Sequence, residues 1–475
     1  MVITYLSGSV ALVLSLFLSR KKQVVYSLLS LFLVWQVWFT AQVCVHSGTT
    51  DAVYFTFDSL GILLLITLSI IAIPAAFHSY IYIENHTEPP RSRSLYLASL
   101  VLLIMAISAG YLSNHIAVTW IFTEITTLSA SALIYHHRNK LALEGTWKYV
   151  FICAISITFI FIGILFLSLS LQHTGSDDLS FTNLLLRSKE LNPIWLRMAF
   201  LFIFTGFTAK LGLVPMFTAG IDAKDTAPAP AGALMASVLM NLGFVGIFRF
   251  YIIIANTPLL HWARLVVLVA AFLSLFVATV YMLKVKNIKR MFAYSGIEHM
   301  GIVMIGVAAG GIGYYAAILH IVLHAFVKSS LFFQYNQLYR VFQSKSINHI
   351  GNYFKYNPTG AMVLLLGFFS SAAMPPSGLF VSEFLIFKAM FDARQIYLLI
   401  VVLLLLTMII WAFGKNIFKV LFVPAEGFDD AMVVRTNPWE SLSQFVLLAL
   451  AVYLGLNPPP AFVELIKESI ILLPH

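Results

Sequence analysis

Seven ionisable residues stand in stretches of this chain that are otherwise apolar: Glu124, Lys148, Lys210, His320, His324, Lys328 and Glu383. Lys210 lies in FTAKLGLVP, Glu383 in GLFVSEFLIF, and Glu124 in WIFTEITTLSAS, where its neighbours are Thr and Ser rather than Leu. His320, His324 and Lys328 fall in ILHIVLHAFVKSSLFF at a spacing of i, i+4, i+8, which puts them on one helical face over roughly 12 Å. The chemistry these residue types share is proton transfer. Imidazole titrates near neutral pH, and a desolvated lysine becomes a usable proton carrier. Glu124 and Lys210 form a candidate pair, since an opposite charge keeps a group ionised while burial drives it towards neutrality. Protonation of one member changes the field at the next, so protons can move in ordered steps. Catalytic, cofactor and metal-binding residues are not expected: there is no nucleotide loop and no nucleophile arrangement. Two cysteines, Cys44 and Cys153, are too few for an iron–sulfur cluster or a structural zinc site.

An ionisable group at the centre of a membrane helix costs about 2.5 to 3.5 kcal/mol on insertion scales, so each must face a bundle interior. Blander roles compete with this one. Lys148, near a helix end, can snorkel to the interface. Glu298, His299, Asp58 and Lys388 read as polar glue between helices.

The positioning elements are membrane helices. The chain has 475 residues, 60% hydrophobic and 10% charged, with a mean hydropathy of +0.90, which places it in the membrane class. Its net charge of +9 sits mainly in short loops, a topology signal rather than a nucleic-acid footprint. About fourteen spans of some 20 apolar residues are predicted, near 2–19, 23–45, 55–84, 94–113, 114–136, 147–172, 195–216, 231–255, 262–285, 290–310, 313–340, 359–391, 395–423 and 440–457. The first is expected to be retained rather than cleaved as a signal peptide. Arg20, Lys21, Lys22, Arg91, Arg93, Arg138, Lys140, Lys284, Lys286, Lys289, Arg290, Lys345 and Lys355 collect on one side, which should be cytoplasmic, with both termini opposite. Gly206, Gly212 and Pro215 interrupt the seventh span, and Pro375, Pro376 and Gly378 the twelfth. Broken backbone at membrane depth is tolerated only against protein or a wet cavity. Two interruptions five spans apart suggest repeated halves.

Four segments carry a family resemblance. NIKRMFAYSGIEHMG (287–301) resembles the signature of the antiporter-like subunits of respiratory complex I, Mrp-type cation/proton antiporters and energy-converting hydrogenases, and AGIDAKDTAPAPAGAL (219–234) resembles the same family's segment after the seventh span. MPPSGLFVSEFLIF (374–387) and GTWKYVFICAISITFIFIG (145–163) look closest to the hydrogenase-4 component F and formate hydrogenlyase branch. The resemblance implies an all-α polytopic fold of fourteen helices, two inverted five-helix repeats, and discontinuous helices seven and twelve. The domain division it implies is 1–93, 94–255, 262–423 and 424–475. By the same resemblance Glu124 is the acidic residue of helix five, Lys148 the basic residue opening helix six and Lys210 the lysine of broken helix seven. His320, His324 and Lys328 match the helix-eleven relay, and Glu383 the ionisable residue of broken helix twelve.

Three departures stand out. The eighth span, where relatives often carry Lys or His, offers Asn241, so the link across it is expected to depend on water. Ala219-Gly220-Ile221-Asp222 replaces Trp-Leu-Pro-Asp. The long lateral helix of the largest complex I paralogue is expected to be absent.

The expected role is a proton-translocating subunit of a multisubunit redox complex in a prokaryotic inner membrane. Other membrane-arm subunits and a peripheral redox arm would be its partners, with protons or sodium as its cargo. Rivals are a Mrp-type sodium/proton antiporter subunit, the membrane subunit of an inorganic-carbon uptake system, and a scaffold whose ion path has decayed.

Overall fold

Among the described residues, twelve helices are long and apolar enough to cross a membrane, and two shorter apolar helices, Val2–Leu18 and Pro358–Ser371, occupy the first and twelfth places. The computed structural model describes all residues except 87, 173, 426–432, 435 and 475. The fourteen predicted spans are therefore present, and local chemistry sets their ends. The third helix begins at Ser59 rather than 55, because Asp58 caps it by accepting from Gly61 N at 3.1 Å. The residues before it form a small hairpin, Thr50–Asp51 against Phe55–Thr56. The sixth helix begins early, at Lys140, since Asn139 accepts from Ala142 N at 2.7 Å. An N-cap of this kind is worth about 1 kcal/mol.

By its contacts the chain forms two compact units. The first comprises Met1–Ala231, Val238–Val266 and Ala461–His475. In it the fifth span (Ile116–Ile134) packs on the sixth (Lys140–Leu171), which lies along the seventh (Pro193–Leu211). The seventh stops at Gly212, whose φ of 88° is the left-handed conformation that favours glycine, and the chain resumes as Thr218–Thr226. Gly243 of the eighth span presses against this stop: a Cβ there would lie 2.4 Å from Leu211 N.

The second unit comprises Gly232–Ser237 and Val267–Pro460. Its centre is the eleventh span (Ile312–Phe342), packed against the tenth (Ile288–Ala309), both halves of the twelfth (Pro358–Ser371 and Gly378–Asp392) and the fourteenth (Leu442–Leu456). The tenth and eleventh spans are buried along almost their whole length. The sixth span and the thirteenth (Ile396–Phe422) instead expose Phe151, Leu165, Ile400, Leu404 and Trp411, an apolar exterior suited to hydrocarbon.

Candidate proton relay

In the first unit Lys210 is 6% exposed, and its Nζ donates to Thr127 Oγ1 at 2.8 Å and to Tyr149 OH at 3.0 Å. Thr127 comes from the fifth span and Tyr149 from the sixth, so three helices converge on one ammonium. The helix stop at Gly212 places Lys210 in the last turn, where a cation is favoured by the helix dipole. Glu124 lies one turn before Thr127 and is half-buried; its Oε2 has no hydrogen-bond partner among the described residues. The sequence paired Glu124 with Lys210. The two interact electrostatically, but the direct contacts of Lys210 are hydroxyls, and Thr127 interacts with both.

Lys148 is not brought into this cluster. It lies on an exposed face of the sixth helix, paired with Glu144 at 2.6 Å and Asp222 at 3.3 Å.

The second unit holds a longer arrangement. Lys328 Nζ donates to Ser295 Oγ at 2.7 Å and to Ser371 Oγ at 3.2 Å. Ser371 Oγ also meets His299 Nε2 at 3.0 Å. His299 Nδ1 lies 3.1 Å from His320 Nε2, and His320 Nδ1 lies 3.0 Å from Ser382 Oγ. Glu383 Oε1 is 3.7 Å from His299 Nδ1. The resulting line runs Lys328–Ser371–His299–His320–Ser382, with Glu383 at its side. His324 stands beside it, its ring 5.1 Å from that of His299. His299, His320, His324 and Lys328 are all fully buried, and Glu383 is 6% exposed. Every link joins groups able to donate or accept a proton. The interruption of helix twelve makes this possible: Ser371 ends the first half, while Ser382 and Glu383 lie just inside the second, so the two halves meet the histidines from two sides.

Several participants escaped the sequence reading. His299, read there as helix glue, is the central link. Its signal was the Glu298-His299 pair in the middle of a span; Glu298 is 3% exposed, and its Oε2 has no partner among the described residues. Ser295, Ser371, Ser382 and Tyr149 gave no signal, since hydroxyls are common in membrane helices, and Thr127 stood out only as one of the hydroxyl residues around Glu124. Lys224, in the short helix after the Gly212 stop, is 4% exposed with its Nζ 3.1 Å from Met240 Sδ. Asn241 follows, fully buried, with neither side-chain atom bonded among the described residues. Asp58, the other glue residue drawn into a contact here, caps its helix and pairs with Arg249 at 2.7 Å.

Comparison with known proteins agrees with this architecture. The chain is 28% identical over 430 residues to the hydrogenase-4 component F homolog of Methylacidiphilum infernorum (isolate V4), covering 88% of this chain and 89% of the relative. Its fold matches a chain of the membrane-bound sulfane sulfur reductase, an archaeal respiratory membrane complex. The TM-score is 0.87 at 18% identity, over 99% of this chain and 97% of that one. It also matches a chain of respiratory complex I from Thermus thermophilus, with a TM-score of 0.79 at 17% identity over 97% and 98% of the two chains. The profile of one family, NADH:quinone oxidoreductase/Mrp antiporter, transmembrane region, matches residues 113–409. With more than half of its length so matched, this chain belongs to that family and is one of its antiporter-like, multi-pass membrane proteins.

Proposed function

We propose that the chain is a proton-translocating subunit in the membrane arm of a multisubunit redox complex of the hydrogenase-4 or formate hydrogenlyase type, or of a complex I-like enzyme. The observation that carries this reading is the buried line Lys328–Ser371–His299–His320–Ser382 with Glu383 beside it. Apolar residues would be cheaper at every one of these positions in a membrane. The path uses Glu124, Lys210, His320, His324, Lys328 and Glu383, extended by His299, with Lys148 at its margin. Redox chemistry in partner subunits changes the field at one end, and each protonation resets the next group. The fourth to eighth and ninth to thirteenth spans (94–255 and 262–423) form two inverted repeats, flanked by 1–93 and 424–475. The complex lies in a prokaryotic inner membrane, with both termini of this chain on the non-cytoplasmic side. A second reading, sodium/proton exchange, is supported by the family's span over Mrp antiporters as well as quinone oxidoreductases.

Lys210→Ala tests the function. In inverted vesicles containing the whole complex, energised through its electron input, acridine-dye quenching should be abolished while the complex remains assembled on a native gel. Normal quenching in an assembled Lys210→Ala complex would overturn the reading. Quenching that requires sodium would favour the exchanger.

A further inference from the structure

We propose that His299, His320 and Glu383 form a binding site for a zinc-class divalent cation. The three ligand atoms, one from each residue, lie within 4.8 Å of one another. His299 Nδ1 is 3.1 Å from His320 Nε2 and 3.7 Å from Glu383 Oε1. Metal–ligand bonds of about 2.0–2.1 Å in a tetrahedron imply ligand-to-ligand edges near 3.3 Å, so two of the three edges already fit. The remaining one, within 4.8 Å, would have to shorten towards that length as the ion binds. Two imidazoles and a carboxylate with a fourth position open is the donor set that zinc favours. Magnesium and calcium prefer all-oxygen shells.

The surroundings of the triad are those of a metal site rather than a chance cluster. Each histidine has its second nitrogen held by a serine hydroxyl, His299 Nε2 by Ser371 and His320 Nδ1 by Ser382, both at 3.0 Å. Such outer contacts fix ring orientation and leave the other nitrogen aimed at the ion. Glu298, buried next to His299 in sequence, adds a second carboxylate whose field reaches Glu383. Lys328 approaches from the far side, separated from the ligand atoms by Ser371 and the His299 ring. The two histidine side chains are fully enclosed, and Glu383 is the ligand with residual exposure. An ion here replaces the hydrogen bond between the two rings. If the relay proposed above operates, zinc stops it by occupying its central link; the site itself does not depend on that relay.

The test is zinc binding to the purified full-length chain in nanodiscs, read by competition with a zinc chromophore and by X-ray absorption at the zinc edge. One zinc per chain is expected, with two imidazole nitrogens in its shell. Glu383→Gln and His320→Gln should each weaken binding by tenfold or more, and Ser382→Ala, which touches only the outer contact, by about tenfold. Excess magnesium should not compete. The proposal is overturned by the absence of a saturable site. It is equally overturned if affinity is unchanged in Glu383→Gln but lost in His136→Gln, which would put the ion at the peripheral His136–Glu88 pair. Should the triad variants fail to fold, the absorption spectrum of the unaltered protein decides: a shell without two imidazoles refutes the site. Zinc binding with no effect on pumping would count against the relay and not against the site.

Discussion

Ser371 is the junction of the second unit, and its replacement by alanine is the most informative single change. Its hydroxyl touches Lys328 Nζ at 3.2 Å, Ser295 Oγ at 3.2 Å and His299 Nε2 at 3.0 Å. Removing it breaks the hydrogen-bonded connection between the lysine and the histidines. A side chain positioned for proton transfer typically contributes about 10²–10⁴ in rate. Solvent does not restore the link, because one lost oxygen leaves less room than the roughly 30 Å³ that a water occupies. Ser371→Ala should therefore lower pumping at least tenfold. Ser295→Ala is the matched control. It also removes a buried hydroxyl bonded to Lys328, at about 1 kcal/mol, but leaves Lys328–Ser371–His299 in place, so its effect should stay below tenfold. Proton uptake by inverted vesicles, normalised to assembled complex on native gels, measures both. Wild-type pumping by an assembled Ser371→Ala complex would refute the reasoning, and so would equal losses in the two variants.

Lys224→Met should leave the unfolding temperature unchanged or raised, since the ammonium meets a thioether at 3.1 Å and a buried charge without a strong partner among the described residues is costly; a large drop in tryptophan-monitored unfolding temperature would contradict this. Lys148→Gln should retain most activity, because Lys148 and Glu144 are exposed and Asp222 is only partly buried, and pairs near the surface are worth about 0–1 kcal/mol; a loss as severe as that of Lys210→Ala would put Lys148 inside the path. Burial pushes the Glu88 carboxyl up, but its hydrogen bond and charge interaction with His136 outweigh this and hold it below the usual carboxylate range. The pair's contribution is thus fully present above the ordinary carboxylate pKa and disappears as pH falls through the depressed value. Protease nicking of the loop between the third and fourth spans should rise on acidification, and His136→Asn should move that rise to higher pH.

The helices were legible because burial in lipid demands long apolar runs, and the breaks because Gly and Pro disrupt them. Lys210 and the His320–His324–Lys328 stripe stood out for a related reason, since a charge in such a run is expensive in lipid, and the structure buries all four. The partners of these residues were not. Serines in membrane helices commonly bond helix carbonyls, as Ser382 does to Leu379 O, so composition cannot say which of Ser295, Ser371 and Ser382 point at a lysine or an imidazole. His299 was undervalued because its contacts come from the eleventh helix and both halves of the twelfth, which the spacing within its own helix does not reveal. The Glu124–Lys210 pairing was half right for a geometric reason. Facing residues on neighbouring helices approach to within a turn, and which atoms then touch depends on rotations that spacing does not encode.

On the proposed path, the hydroxyls would keep the two lysines usable. In each unit an ammonium donates to a hydroxyl one helical turn from a carboxylate: Lys210 to Thr127, three residues after Glu124, and Lys328 to Ser295, three residues before Glu298. Each hydroxyl interacts with its carboxylate as well. A direct ion pair at hydrogen-bond distance is worth about 6 kcal/mol at an effective dielectric constant near 20. Interposing one hydroxyl roughly doubles the separation and halves that figure. A direct pair would hold the lysine charged and the carboxylate empty, and proton transfer would stall there. A hydroxyl accepts from one neighbour while donating to the other, so it bridges the two charges and weakens the trap together. The order ammonium, hydroxyl, carboxylate is therefore the one expected where a charge must be both stabilised and released, and it recurs in both units on helices that share no contiguous sequence.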